Sequence, residues 1–259
     1  MFRRQARDAA LPGQPRIAVL WLAPVLAVIA IVVLGWISRP LYWSLVAEDR
    51  SVEWLTFAVY MATSALSVLV AVRLHRQGAT TDACLYGLFA LVAFFIAGEE
   101  ISWGQRLFGF DGPSELVERN VQGEANLHNL TGPLGLHSAY IVVGLVGSFG
   151  ARLLVPRIPH LRRRPWLYAP PWSLTTWFAC AWAYYAYAQF VDPIAVAVLG
   201  PQVDVVRVLG PKLQEVVELA MAGGFLLFVL RIFRSDRPAD LPPDVELPPE
   251  PRSVAYQSA

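Results

Sequence analysis

Two adjacent glutamates, Glu99 and Glu100, follow a long apolar run and are the residues whose placement most needs an explanation. They stand in Gly98-Glu-Glu-Ile-Ser-Trp-Gly-Gln-Arg106, directly after the apolar residues 85–97. A carboxylate in an apolar medium costs several kcal/mol unless it is neutral, paired or metal-bound. If the run is helical, both glutamates also lie at its C-terminal end, where the macrodipole disfavours anions. We therefore expect a cation nearby and treat Glu99 and Glu100 as candidate catalytic residues.

Further acids and a histidine stand at spacings that one metal ion could use. Glu124 and His128 are four residues apart, and Glu215 and Glu218 are three apart at the start of a later apolar segment. On a helix each pair faces one way, and carboxylate oxygens with an imidazole suit zinc, iron or manganese. The predicted metal ligands are Glu100, Glu124, His128, Glu215 and Glu218. The side chains predicted to support the site are Trp103, Gln105, Arg106, Asn126 and Asn129.

Simpler explanations are open for most of these residues. Glu53, like Glu215 and Glu218, falls in the first turn of a predicted helix, where the dipole favours an acid. His128 could hydrogen-bond a neighbouring asparagine instead of a metal. In a continuous helix Glu99, Trp103 and Arg106 share one stripe, with Arg106 too far away for a direct pair. Structural ion pairs are the alternative for the adjacent glutamates, and the candidate cations are Arg106, Arg119 and Lys212.

Six apolar segments are long enough to cross a membrane. A spanning helix needs about 20 residues, because each adds roughly 1.5 Å against a core of about 30 Å. The predicted spans are residues 17–37, 52–72, 83–106, 134–155, 172–191 and 213–233. Small residues in the fourth span, such as Gly144 and Gly147, predict close helix packing. The aromatic run 182–187 is interpreted as packing and interface anchoring.

The composition agrees with a membrane protein. The chain of 259 residues is 56% hydrophobic and 16% charged, with a mean hydropathy of +0.45, whereas soluble domains carry about 25% charge. A net charge of +1 argues against a nucleic-acid partner. Cys84 and Cys180 lie in apolar runs without the neighbours of a disulfide framework or a zinc site.

The charges are distributed unevenly between the two sides of the predicted spans. With the N-terminus inside, 15 of the 21 basic residues fall on the inner side and 13 of the 20 acids on the outer side. Because Lys and Arg stay cytoplasmic, we predict both termini in the cytoplasm and a location in the inner (plasma) membrane. His75 and His160 fall in inner loops, where solvation is the ordinary explanation.

The predicted fold class is all-α, a polytopic membrane bundle of about six transmembrane helices. A basic cytoplasmic N-terminus covers residues 1–16, and the transmembrane domain covers residues 17–233 with an outer polar loop at about 107–133. A Pro-rich, acidic cytoplasmic tail covers residues 234–259 and is predicted to be disordered.

Gly98-Glu-Glu-Ile-Ser-Trp-Gly-Gln-Arg106, followed by Gln122-Gly-Glu-Ala-Asn-Leu-His-Asn129, resembles the signature of a group of uncharacterised bacterial multi-pass inner-membrane proteins. The match covers about thirty residues around the third span; Val52-Glu-Trp-Leu-Thr56 and the sixth-span glutamates agree less specifically. The resemblance implies a membrane location and implies no reaction. Membrane ceramidase-like hydrolases also combine intramembrane acids with histidines, but their final-span His-x-x-x-His pair is absent from this sequence.

Three function classes are compatible with these residues. The first is a metal-dependent enzyme acting on a lipid or other amphiphile at the outer leaflet, with one carboxylate as general base. The second is a proton- or cation-coupled transporter with Glu99 and Glu100 as a relay, and the third is a structural or assembly subunit. The predicted cofactor is a divalent metal (Zn, Fe or Mn), and the predicted partner is membrane lipid.

Overall fold

The computed structural model describes residues 14–47, 50–109, 132–200 and 212–235, and in these ranges the chain forms helices and turns without any strand. This confirms the all-α class. The helices are α1 Gln14–Ile37, α2 Arg39–Val46, α3 Ser51–Arg76, α4 Thr80–Glu100, α5 Gln105–Phe108, α6 Gly132–Leu145, α7 Ala151–Leu154, α8 Pro165–Tyr168, α9 Thr175–Ala186, α10 Asp192–Leu199 and α11 Leu213–Phe233. One π-helical turn joins α6 to α7 and another joins α9 to α10; these are Val146–Gly150 and Tyr187–Val191.

Several of these helices are long and apolar enough to cross a membrane, which makes the chain a multi-pass membrane protein. Within the described residues there are five such stretches: Ala18–Ile37, Arg39–Arg76, Thr80–Glu100, Gly135–Arg157 and Leu213–Phe233. The predicted span at 172–191 is helical, but it is not among the five, and its helical run continues to Leu199. Six spans and the sidedness of the termini stay predictions.

Helices α3 and α4 form an antiparallel hairpin against which α11 packs. Ala90, Ala93 and Ala97 of α4 are buried, and their small side chains let α3 approach closely enough for Ser64 Oγ to donate a hydrogen bond to Ala90 O at 2.9 Å. Phe225 of α11 contacts the rings of α4 and α9. The core therefore lies between α3, α4, α9 and α11.

Close packing of α6 on α9 confirms the prediction made for the small residues of the fourth span. A Cβ at Gly147 would collide with the ring of Phe178, and one at Gly144 would lie 2.8 Å from Trp182 Cβ. Larger side chains at these two positions would therefore force the helices apart. Helix α1 adds to this side through Trp177, whose Nε1 donates to Leu20 O at 2.9 Å.

The antiparallel arrangement sorts charges to two ends of the bundle. The start of α3, the end of α4 and the start of α11 meet at what we call the carboxylate end, which holds Glu53, Glu99, Glu100, Glu215 and Glu218. The opposite, basic end is fixed by Arg73, which donates to the carbonyl oxygens of Ile232 and Phe233 at the end of α11 and to that of Ser235 just beyond it.

Asp82 organises the basic end and corrects one prediction. Its carboxylate is 2% exposed and accepts hydrogen bonds from Arg164, from the Tyr168 hydroxyl and, at 2.8 Å, from His160 Nε2. His160 is thus not simply solvated, because its ring is bound to a buried acid. Burial and the bond to Asp82 raise the pKa of Tyr168 above its usual range, so this phenol stays a donor.

The third predicted span ends earlier than expected. Helix α4 stops at Glu100 rather than at residue 106, because Ser102, Trp103 and Gly104 take left-handed conformations with φ of 46°, 55° and 79°. Such backbone cannot continue a right-handed helix. The prediction that Glu99, Trp103 and Arg106 share one face of a continuous helix is therefore wrong.

Candidate functional site

Glutamates from three helices meet at the carboxylate end of the bundle. The charges of Glu53, Glu99, Glu215 and Glu218 all belong to the electrostatic surroundings of Glu100. Glu99, Glu215 and Glu218 are buried, and Glu100 is partly exposed. We call these five residues the carboxylate cluster. The structure thus brings together every predicted acidic site residue that it describes, and it adds Glu53.

The turn after α4 fixes one of the two adjacent glutamates. Trp103 folds back along the helix, and its Nε1 donates to Glu99 Oε1 at 2.7 Å. Its ring covers Gly98, where an added Cβ would lie 2.8 Å from the ring, and meets Phe94 and Phe95 edge-on. Two non-glycine residues in left-handed conformation cost about 1–2 kcal/mol each. This packing offsets part of that cost and orients the carboxylate of Glu99.

The start of α11 supplies two further carboxylates, each with a named partner. Lys212 Nζ lies 3.3 Å from Glu215 Oε1, and the Tyr185 hydroxyl donates to Glu218 Oε1. Both acids also lie in the first turns of α11, where the helix dipole favours them. The helix-end explanation therefore accounts for the location of Glu215 and Glu218, and it does not account for their convergence on Glu100.

Tyrosines line the cluster, and sequence reasoning missed them. Tyr60 and Tyr140 interact electrostatically with both Glu100 and Glu218, and Tyr185 stacks on Tyr140 with ring centroids 4.5 Å apart. One signal was present for Tyr60, which follows Glu53 by two helical turns and shares its face. From the sequence alone the run 182–187 is interpreted as packing and interface anchoring, whereas Tyr185 also donates a hydrogen bond to Glu218 of the cluster.

Tyr42 of α2 brings a buried hydroxyl to the same end of the bundle. It lies near the start of α11, where it interacts with the backbone and the charge of Lys212 and with the charge of Glu215. The start of α2 and the start of α11 therefore both contribute polar groups to the carboxylate end.

The remaining predicted site residues are placed only in part. Gln105 begins the short helix α5 after the left-handed turn, and the backbone of Arg106 belongs to the same helix. Glu124, Asn126, His128 and Asn129 lie outside the described residues, as does Arg119. Across the ranges that are described, no three or more His, Cys, Asp or Glu side chains form a group that could hold a metal ion. The predicted metal site is therefore neither assembled nor tested by the described residues.

No protein family, curated protein or solved structure matches this chain. The resemblance noted around residues 98–129 stays a prediction.

Proposed function

We propose that the protein is a metal-dependent membrane enzyme that acts on a lipid or other amphiphile. The observation that supports this proposal is the convergence of the carboxylate cluster on Glu100 in a tyrosine-lined, largely buried site. Five carboxylates at one end of a membrane bundle, with Lys212 as a contacting cation, favour the uptake of a further cation. Oxygen donors of this kind suit a hard or borderline divalent metal.

The proposed ligand set combines described and undescribed parts of the chain. Glu100, Glu215 and Glu218 would contribute from the carboxylate cluster, and Glu124 and His128 from the segment that follows α5. The described carboxylates do not form a metal group by themselves, so the proposal depends on Glu124 and His128.

An amphiphile is the proposed substrate class because the cluster adjoins the outer surface of the bundle. Trp103, which holds Glu99, is 40% exposed, and its neighbours Phe94 and Phe95 are exposed on the same side of α4. In a membrane this apolar surface faces lipid. A substrate with an acyl chain would therefore approach the cluster laterally along the Glu99 side of α4, without crossing the bundle.

The chain's own residues have distinct roles in this proposal. Trp103 holds Glu99 in one orientation, and Tyr185 does the same for Glu218. Glu100, the partly exposed member, is placed to meet both metal and substrate. A bound divalent metal would supply a water of lowered pKa, and Glu99, which is not among the proposed ligands, would accept its proton as the general base.

Elemental analysis of the purified full-length protein tests the proposal. We expect close to one equivalent of Zn, Fe or Mn in the wild type, and its loss in the double variants Glu100→Gln/Glu218→Gln and Glu124→Gln/His128→Ala. His75→Ala is the matched control, because it removes an exposed histidine from the basic end and should leave the metal content unchanged. Metal that is retained in both double variants, or that is substoichiometric in the wild type, would overturn the proposal.

Proton- or cation-coupled transport is the second candidate, and a row of buried hydroxyls on α3 favours it. Thr56, Tyr60, Thr63 and Ser67 lie along one face below Glu53 and are all buried. The row ends at Val70 and Leu74, which are buried and apolar, so the polar stretch stops short of the basic end. Flux in proteoliposomes that disappears in Glu99→Gln/Glu100→Gln would support transport, and flux that survives would count against it.

We also propose that the basic end faces the cytoplasm and the carboxylate end the outer leaflet of the bacterial inner membrane. The excess of Lys and Arg at one end supports this orientation. A reporter fused after Ala259 should report a cytoplasmic location. A periplasmic signal would invert the proposed topology and place the carboxylate cluster at the inner leaflet.

A further inference from the structure

The basic end carries a surface of arginines that is independent of the carboxylate cluster. Between α7 and α8 the chain runs over two short 3₁₀ turns, Val155–Arg157 and Leu161–Arg163. The side chains of Arg157, Arg162 and Arg163 are exposed on this segment. We call these three residues the arginine ledge. Of the acidic side chains in the described ranges, Asp82 is the one at this end of the bundle, and it is buried.

The backbone beneath the ledge is fixed to the bundle by buried polar contacts. Asp82 of α4 accepts hydrogen bonds from His160, Arg164 and Tyr168. The hydroxyl of Tyr86, one helical turn further along α4, donates to Leu167 O at 2.6 Å. Asp82 thus neutralises the charge of Arg164. Within the described ranges, no other acidic side chain lies at this end to neutralise the charges of the arginine ledge. A backbone held in this way loses little conformational entropy when the surface binds a ligand.

The basic residues around the ledge differ in what they contact. Arg73 and Arg152 are occupied by backbone carbonyls, and the guanidinium of Arg152 also lies 4.2 Å above the ring of Trp172. Arg157 donates one bond to Leu153 O and keeps its other N–H groups. The side chains of Arg162 and Arg163 extend from a turn with no buried residue.

Exposed apolar side chains adjoin the ledge on the same segment. Leu153, Leu154 and Ile158 are each 44–57% exposed, and Trp172 is 52% exposed. An indole at this position is typical of the boundary between headgroups and acyl chains. The segment therefore presents an apolar surface for acyl chains directly beside guanidinium groups at headgroup level.

We propose that the arginine ledge binds the headgroup phosphate of an anionic phospholipid, whose acyl chains lie against Leu153, Leu154 and Ile158. The planar fork of arginine matches phosphate oxygens in a bidentate way, and clusters of basic residues at a membrane surface attract anionic lipids. The charge of the ledge and its position next to exposed apolar side chains both fit this occupant. The site lies at the opposite end from the carboxylate cluster and does not rest on the proposed function.

Native mass spectrometry of the full-length protein, released from nanodiscs that contain phosphatidylcholine and phosphatidylglycerol, tests this site. We expect phosphatidylglycerol to be retained preferentially by the wild type, with a drop of about tenfold or more in Arg157→Gln/Arg162→Gln/Arg163→Gln. The variant Arg157→Lys/Arg162→Lys/Arg163→Lys keeps the charge and should lose part of the preference, since the bidentate contact is gone.

The matched control removes the same charge from the same end but from other segments. Arg76, Arg231 and Arg234 are exposed there, and their joint replacement by Gln should leave the lipid preference intact. An equal loss in both Gln triples would mean a diffuse charge effect and would overturn the proposal. A second outcome would also overturn the proposal. If the wild type shows no preference for phosphatidylglycerol and the preference appears only after deletion of residues 236–259, which contain five acids, then that segment and not a lipid is the ligand of the ledge.

Discussion

The indole of Trp103 reaches back across a non-helical turn and donates a hydrogen bond to Glu99 Oε1 at 2.7 Å. This contact gives the two adjacent glutamates, Glu99 and Glu100, different surroundings although their side chains are chemically identical. Glu99 is buried with its carboxylate held by a ring that covers Gly98, whereas Glu100 is partly exposed and interacts electrostatically with Glu215 and Glu218. The four predictions below test this pair and the two networks at the ends of the bundle.

Trp103→Phe removes the donor and keeps an aromatic ring. Because a buried carboxylate then loses a hydrogen bond, we expect the free energy of unfolding in mixed micelles to fall by about 1–3 kcal/mol. Titration with a denaturing detergent measures it. In a Glu99→Leu background the same substitution should cost less, and an equal loss in both backgrounds would show that the hydrogen bond contributes nothing.

Gly98→Ala places a methyl group against the ring of Trp103. The added Cβ would lie 2.8 Å from ring carbons, so the indole must move. We expect a destabilisation of about 1–3 kcal/mol, as for other overpacked sites, and a shift in the emission of Trp103. Gly87→Ala on the same helix is the control, because nothing lies within 4 Å of its Cβ. Identical behaviour of the two variants would contradict the packing described for Trp103.

Tyr185→Phe removes the hydroxyl that donates to Glu218. Since this contact is buried between α9 and α11, we expect the free energy of unfolding to fall by about 1–3 kcal/mol. The neighbouring Tyr184→Phe removes a hydroxyl from a partly buried tyrosine and should cost less. If Tyr184→Phe costs as much as Tyr185→Phe, the hydrogen bond to Glu218 is not the reason for the loss.

Asp82→Ala should destabilise the basic end more than His160→Ala does. Asp82 is 2% exposed and serves three donors, whereas the His160 side chain is 42% exposed and makes one of those contacts. Loss of the shared acceptor removes one hydrogen bond each from the partly buried Arg164 and Tyr168, at about 1–3 kcal/mol per group. Hydrogen exchange of residues 155–168 measures the effect locally. Greater exchange in His160→Ala than in Asp82→Ala would reverse the assignment of Asp82 as the centre of this network.

The hydrophobic pattern was sufficient to predict the long apolar helices, because apolar length alone selects a membrane-spanning helix. The last span was predicted at the bounds of α11, and the small residues Gly144 and Gly147 correctly predicted a close helix contact. The turn after Glu100 could not be predicted in the same way. Its left-handed Ser102 and Trp103 depend on the packing of the indole over Gly98, which is a tertiary contact.

The acidic members of the candidate site were predictable, but their surroundings were not. Glu99, Glu100, Glu215 and Glu218 attract notice because acids are rare beside apolar segments. Tyr140 and Tyr185 look like ordinary aromatic residues of a membrane helix until α6, α9 and α11 are brought together. Asp82 likewise gains its role only through residues that lie 78 to 86 positions later in the chain, namely His160, Arg164 and Tyr168.

The direction of α11 is favoured by the charges at its two ends, which are Arg73 at one end and the glutamates at the other. The guanidinium binds the carbonyls at the negative end of the α11 dipole, while Glu215 and Glu218 occupy its positive end. A reversed α11 would place both charges unfavourably, so its direction is encoded as well as its position. Because α11 runs antiparallel to α4, its positive end lies at the same end of the bundle as the C-terminus of α4. The backbone itself thus supplies part of the positive potential that Glu99 and Glu100 lack at the end of their own helix.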